Sequence, residues 1–312
     1  HFARELEQAA VPSRPPEPVP PPAMRGRPGE RDASGIEDIL DRRYRKEGTV
    51  GEGPLATVFR GRHVGLGRAV AIKEARALFS VASYLRRDEA VLRWRDRIEA
   101  MASLQHPFIL PVFDHNADRE HPYVVSELCA RSVRGLMSES IPTAVAGRIV
   151  VQTAAALVHA HGRGRLHLGL KPENLLLDAF GNVRLSDFGM ATVTERPADA
   201  AQGSIPPVMV GGDVVPYLAP ERLDPSSEAS EASDVYGLGM ILYELLVGKL
   251  PGRRSKMPSE LRSDVPAEVD DVFDRMTRDD LSERHPRMAD AMKEVQSAFG
   301  LDAELVHTSV TA

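Results

Sequence analysis

Two stretches of this 312-residue chain hold side chains that could act together on a substrate. The first reads Gly51-Glu52-Gly53-Pro54-Leu55-Ala56-Thr57-Val58, and fifteen residues after Val58 comes Lys73, at the end of Ala69-Val70-Ala71-Ile72-Lys73. The second reads His167-Leu168-Gly169-Leu170-Lys171-Pro172-Glu173-Asn174, and Ser186-Asp187-Phe188-Gly189 follows with Asp187 thirteen residues after Asn174. Ammonium, amide and carboxylate are the groups with which proteins hold phosphates and hard divalent cations. Each feature also has a plain structural reading. Paired glycines serve any turn that needs positive φ, and a lone histidine such as His167 is more often a hydrogen-bonded core residue than a catalyst. The joint spacing of the second stretch is what chance seldom supplies.

The elements that must position these residues follow from apolar periodicity. Strand-like runs at Thr49–Val50, Thr57–Arg60 and Ala69–Ile72 precede a charged helical stretch over Arg86–Leu104, and two more apolar runs lie around Phe108–Phe113 and Tyr123–Leu128. From about Ser132 the period turns helical. Val150, Ala154, Leu157 and Val158 stand at i, i+4, i+7 and i+8 before Gly162, and Val235, Leu238, Leu242 and Leu245 precede Gly248. A strand pair at Leu175–Leu177 and Val183–Leu185 turns at Gly181-Asn182. The expected class is α+β: a small antiparallel lobe of five strands and one helix over residues 41–128, and a larger, mainly helical lobe over 129–300.

Residues 1–40 are Pro-rich, densest over Val11–Pro22, and read as a solvated linker or as a docking peptide for a polyproline-reading module. Residues 301–312 read as a tail. A net charge of −6 without a basic stripe argues against a nucleic-acid partner. The single cysteine, Cys129, excludes an intramolecular disulfide and points to a reducing, cytoplasmic setting. No run of about 18 consecutive apolar residues and no signal-peptide pattern is present. The chain opens on His1, as a fragment or processed chain would.

Over about Tyr44 to Phe299 these motifs resemble the protein kinase family, in the bacterial Ser/Thr form that Lys171-Pro172-Glu173-Asn174 suggests. The resemblance implies a bilobal kinase-like fold and an ATP site. Gly51, Gly53 and Val58 would cover the nucleotide, Ala71 and Lys73 would line it with Lys73 on the phosphates, and Glu127, Cys129 and Leu176 would complete it. Ser126 falls at the gatekeeper. Cys129 would follow the hinge half-exposed or lie buried. Asn174 and Asp187 would hold Mg²⁺. His167 and Phe188, with Met101 and Val112, match an apolar stack between the lobes. Glu221 of Ala219-Pro220-Glu221 would pair with Arg284, and Asp234 would anchor the catalytic-loop backbone.

The departures from the family cluster around one function. Gly169 stands where the family has the Asp that takes the substrate proton, a loss of typically ~10²–10⁴-fold. His167 and Lys171 are the remnants of that loop. Leu168 replaces the arginine that grips an activation-segment phosphate, Val214 replaces a threonine, and Ala56 replaces the third glycine. Arg97 stands where the family's Glu would pair with Lys73; Asp96 and Glu99 are near enough in sequence to substitute if the helix is rotated, and the partner of Lys73 stays open. The expectation is a pseudokinase that binds Mg²⁺ and ATP and acts on protein partners in signalling as a regulatory or scaffolding module. Its alternatives are a slow Ser/Thr kinase with an unconventional base and a scaffold that binds no nucleotide.

Overall fold

The computed structural model describes residues 39–53, 55–76, 78, 86–194, 213–224 and 227–301. Most of the Pro-rich segment and nearly all of the expected tail lie outside the described residues, as does Pro54.

The small lobe is an antiparallel sheet of β1 (Ile39–Leu40), β2 (Tyr44–Glu52), β3 (Thr57–His63), β4 (Ala69–Glu74), β5 (Val112–Asn116) and β6 (Tyr123–Ser126), in the order β1-β2-β3-β4-β6-β5. It has one strand more than the expected five among the described residues. The addition is β1, folded back onto β2 by Asp41 and Arg42, both at positive φ. The Asp41 carboxylate braces that turn by accepting from the Tyr123 hydroxyl (2.5 Å), Asn116 Nδ2 (2.7 Å) and Arg119 (2.6 Å).

Alternation decides what each strand offers the cleft. In β4, Val70, Ile72 and Glu74 are buried while Ala69, Ala71 and Lys73 stay half-exposed. Val70 and Ile72 join Leu40, Tyr44, Phe59, Tyr123 and Val125 in a small core. The helix α1 (Arg87–Ala102) buries Ala90, Trp94, Ile98 and Met101, and the last three belong to a larger core shared with Leu185 and Phe188. The two lobes are coupled through this helix.

The apolar run Phe108–Phe113 is not one strand. It breaks at Pro111, whose ring cannot donate to a ladder, so β5 starts at Val112. Ahead of the break, Leu185 N donates to Phe108 O and Leu110 N donates to Leu185 O, both at 2.9 Å, tying the segment to the large lobe.

The large lobe contains β7 (Arg131–Ser132), α2 (Val133–Leu136), α3 (Thr143–His161), β8 (Leu175–Leu177), β9 (Val183–Leu185), α4 (Glu231–Val247), α5 (Pro258–Leu261), α6 (Glu268–Met276) and α7 (Met288–Ala298). Strands β7, β8 and β9 form a second antiparallel sheet. By length and composition α3 is apolar enough to span a membrane, yet 61% of its most apolar window is buried within the fold, as in a core helix. It packs on α4 and α7. Helix α4 is buried almost all round. It opens with a capping box between Ser230 and Ser233 and ends at Gly248, whose φ of 80° closes the last turn through a 2.8 Å bond to Glu244 O.

The start of α4 is pinned by a buried ion pair. Arg284 Nη1 and Nη2 reach Glu221 Oε1 and Oε2 at 2.8 and 3.2 Å, Arg284 also donates to Ala232 O, and Ser233 Oγ donates to Glu221 at 2.8 Å. Burial pushes the Glu221 carboxyl up, but the bonds from Arg284 and Ser233 outweigh it and hold the group below its ordinary value. Removing one partner leaves the other charged and buried, so Arg284→Ala is expected to cost about 3–5 kcal/mol in denaturant unfolding. A group lowered on folding stabilises above its ordinary pKa and loses that contribution as pH falls through the lowered value. Glu221→Gln is therefore expected to show a shallower loss of stability in acid than the native chain, measured as unfolding midpoint against pH.

Candidate active site

The catalytic-loop backbone is held by the Asp234 side chain in the first turns of α4. Its Oδ2 accepts from His167 N and its Oδ1 from Leu168 N, both at 2.7 Å, and Oδ2 also meets His161 Nε2 at 2.8 Å. Burial raises the Asp234 carboxyl, and His161 together with the loop amides brings it below its ordinary value. Leu168 sits at φ 58°, a conformation costly for a leucine. The two amide bonds to Asp234 over-determine it.

His167 is used up by the scaffold. Its Nε2 meets the Ser186 carbonyl at 2.9 Å, which makes that nitrogen the protonated one, and Nδ1 accepts from Gly169 N at 3.3 Å. The ring lies 4.8 Å from Phe188, centroid to centroid. Burial keeps the imidazole neutral by pulling its pKa down. Met101 is buried in the same core, with Val112 packed against it.

Asn174 and Asp187 are brought to the cleft by the two ends of the β8–β9 hairpin. Asn174 Nδ2 donates to Gly169 O at 2.9 Å, which orients the amide and leaves its oxygen as the donor a cation would take. Ser186 ties the second side, donating from N and Oγ to Asn174 O at 3.0 and 3.1 Å. Asp187 has φ 66°, and both its oxygens accept from Lys73 Nζ, at 2.7 and 2.5 Å. Burial raises its carboxyl, but the Lys73 charge and hydrogen bond override that and hold it low.

That contact supplies the partner of Lys73, which the sequence left open. Neither Asp96 nor Glu99 pairs with Lys73; both are exposed on α1, and the partner is Asp187. Arg97, between them on the helix, packs its side chain against Gly189 of the Asp187-Phe188-Gly189 turn. A Cβ on Gly189 would stand 3.0 Å from Arg97 Cδ, and the glycine, at φ 65°, donates its N–H to His167 O. Like charges repel, so an arginine here leaves Lys73 to the nearest carboxylate.

Register brings together the other residues expected at a nucleotide site. Gly51 pairs with Val58, Val58 with Lys73, and Ala71 with Ser126, so Val58, Ala71 and Lys73 share one face of the sheet. Neither Gly51 nor Gly53 has positive φ, and an added Cβ would meet nothing at Gly51 and only Ala56 O, at 3.6 Å, at Gly53. The turn does not itself require glycine, which fits a loop kept bare for close approach of a ligand. Leu176 is the half-exposed member of β8 between buried Leu175 and Leu177. Glu127 follows β6 and is fixed by Arg184, at 2.8 Å. Cys129 is half-buried, its thiol pushed up to about 12 by burial and by Glu127, which makes it a poor nucleophile.

Position 169 offers no base. Lys171, two residues on, pairs instead with Asp213, a contact that sequence reasoning missed although Asp213 immediately precedes the conspicuous Val214. Also missed was Arg134, which meets Glu173 (2.7 Å), Glu244 (2.7 Å) and the Tyr217 hydroxyl (2.6 Å). A basic residue opening a helix ahead of Lys171-Pro172-Glu173 was the available signal.

A small-lobe sheet that turns a glycine loop and a lysine toward an Asn and an Asp of the large lobe is the arrangement of protein kinases. The protein kinase domain family matches residues 44–298, and the chain belongs to that family. It is 32% identical over 283 residues to the serine/threonine-protein kinase PknL of Mycobacterium tuberculosis, covering 86% of this chain and 66% of that protein. It is 29% identical over 281 residues to PrkC of Bacillus subtilis, covering 83% of this chain and 41% of that protein. The chain thus spans less than two thirds of the length of these curated relatives. Its fold is similar to the crystal structure of the Mycobacterium tuberculosis PknI kinase domain, with a TM-score of 0.66 at 23% identity over 85% of this chain and 99% of that one. Membership implies ATP and Mg²⁺ binding in general, and the oxygen donors of Asn174 and Asp187 suit a hard cation.

Space decides whether a base can be put back. Gly169 is not at positive φ, but a Cβ there would lie 3.1 Å from Ala191 Cβ. Gly169→Ala is expected to destabilise by about 1–3 kcal/mol through overpacking, and Ala191→Gly in the same chain to recover most of it, read by denaturant unfolding of the four combinations.

Proposed function

We propose that this domain is a Ser/Thr-type pseudokinase that binds Mg²⁺–ATP and serves as a regulatory or scaffolding signalling module, its phosphoryl transfer lost or strongly reduced. The observation that carries this is the survival of Lys73, Asn174 and Asp187 in one cleft around a loop with no side chain at 169. Lys73 would move from Asp187 to the phosphates, and Asn174 and Asp187 would present oxygens to the metal, which neutralises phosphate charge when bound. A ligand held by both lobes favours their closed arrangement by mass action. The output is then a protein contact that depends on closure, at α1 near Arg97 or on the activation segment. The Pro-rich segment before residue 39 offers a polyproline-reading module a second handle.

A slow kinase is the second reading, favoured by the carboxylate of Asp213 on Lys171. Both readings need the nucleotide site. At 100 times its Kd a ligand adds about 2.7 kcal/mol, so Mg²⁺–ATP is expected to raise Tm by several degrees, and ATP with EDTA or the Asp187→Ala variant to show little rise. No rise in the native chain with Mg²⁺–ATP overturns the nucleotide reading.

A further inference from the structure

The carboxylate missing from position 169 has a neighbour that could stand in for it. Asp213 Oδ2 is hydrogen-bonded to Lys171 Nζ. Lys171 belongs to the same tight turn as the metal ligand: Asn174 N donates to Lys171 O at 2.9 Å, and Asn174 Nδ2 to Gly169 O at 2.9 Å. A side chain from the far end of the activation segment therefore delivers a carboxylate to the loop that lost its own.

Three features suit Asp213 to chemistry rather than to packing. Its side chain is 41% exposed, so an incoming hydroxyl can reach it, while Lys171 is 17% exposed and fixes it from one side. Its mount is firm: Val214 is buried, Tyr217 N donates to Val214 O at 2.9 Å, and the Tyr217 hydroxyl donates to Glu244 Oε2 at 2.5 Å. A Cβ at position 169 would stand 3.1 Å from Ala191 Cβ, so a side chain there is tight and needs Ala191 to give way. The loop cannot regain a carboxylate there without moving Ala191, but it receives one through Lys171.

We infer that Asp213 is the general base of a residual phosphoryl transfer from ATP to a hydroxyl acceptor, held in place by Lys171. This rests on the nucleotide site proposed above. As the acceptor oxygen bonds to the γ-phosphorus, the bond from that phosphorus to the β–γ bridging oxygen breaks and ADP leaves with its electron pair. The acceptor proton passes to the Asp213 carboxylate and from there to solvent. Lys171, paired with that carboxylate, would offset with its positive charge the repulsion between the carboxylate and the phosphates.

The test uses the whole chain with Mg²⁺–ATP and reads three quantities: the Tm rise on adding the nucleotide, phosphate incorporated by intact mass, and ADP released. The variants are Asp213→Asn, Asp213→Glu, Asp187→Ala, and Asp213→Asn combined with Gly169→Asp and Ala191→Gly. Asp213→Asn is expected to keep the nucleotide-induced Tm rise while losing about 10²-fold or more of the native turnover. Asp213→Glu should retain part of that turnover, and the triple variant should regain it by returning the carboxylate to the loop. Turnover in Asp213→Asn equal to or above the native chain would mean that Asp213 is a latch on Lys171 and not a base. Native turnover no higher than that of Asp187→Ala would likewise overturn the inference. Absence of a Tm rise in the native chain is a separate failure, that of the nucleotide reading.

Discussion

Everything near the cleft depends on one buried carboxylate. Asp234 has lost its water, a cost that only good hydrogen bonds offset. Two consecutive loop amides and the His161 ring supply them, and the N-terminal end of α4 adds a favourable dipole. In return the loop from His167 to Asn174 is fixed, with Leu168 held at a φ it would not choose alone. None of these bonds uses the side chains of 168 or 169. The loop could therefore lose Arg and Asp in the family pattern without losing its shape, and Asn174 at its far end stays oriented by the Gly169 carbonyl.

The charges of the cleft are closed in pairs. Lys73 is neutralised by Asp187 and Lys171 by Asp213. A nucleotide without its metal would draw Lys73 away and leave the half-buried Asp187 carboxylate without its cation, a cost set by desolvation. A metal without the nucleotide would repel Lys73 at close range. Together they exchange partners with no charge stranded: phosphate for Lys73, cation for Asp187.

Much of this was legible in the sequence because it is local or periodic. The strand runs that carry Val58, Ala71 and Lys73 were readable from their apolar pattern, and the strand pair Leu175–Leu177 and Val183–Leu185 with its Gly181-Asn182 turn accounts for the spacing of Asn174 and Asp187. The resemblance supplied the distant pair of Glu221 and Arg284, but the partners of the two cleft lysines were not legible. Lys73 and Asp187 are 114 residues apart and Lys171 and Asp213 are 42 apart, and a sequence rich in Asp, Glu and Arg offers many partners for each. The hidden break in Phe108–Phe113 is of another kind: apolar runs look alike whether they join a sheet or cross between lobes, and only Pro111 marked the difference. The extra strand β1 depended on Asp41, whose three acceptor contacts come from residues 75 or more positions away.

The end of the activation segment shows how the chain does without the arginine that Leu168 replaced. In the family pattern that arginine binds a phosphate and so makes the segment switchable. Here Tyr217, Glu173 and Glu244 converge on Arg134, from α2, while Glu221 is held by Arg284. Arg134 is charged at all times, and its acceptors are carboxylates and a phenol whose proton burial and Glu244 retain by raising its pKa. The anchor of residues 213–224 is therefore permanent rather than conditional on modification. That anchor holds Asp213 beside Lys171 with carboxylates and a phenol as its acceptors, without a phosphate among them.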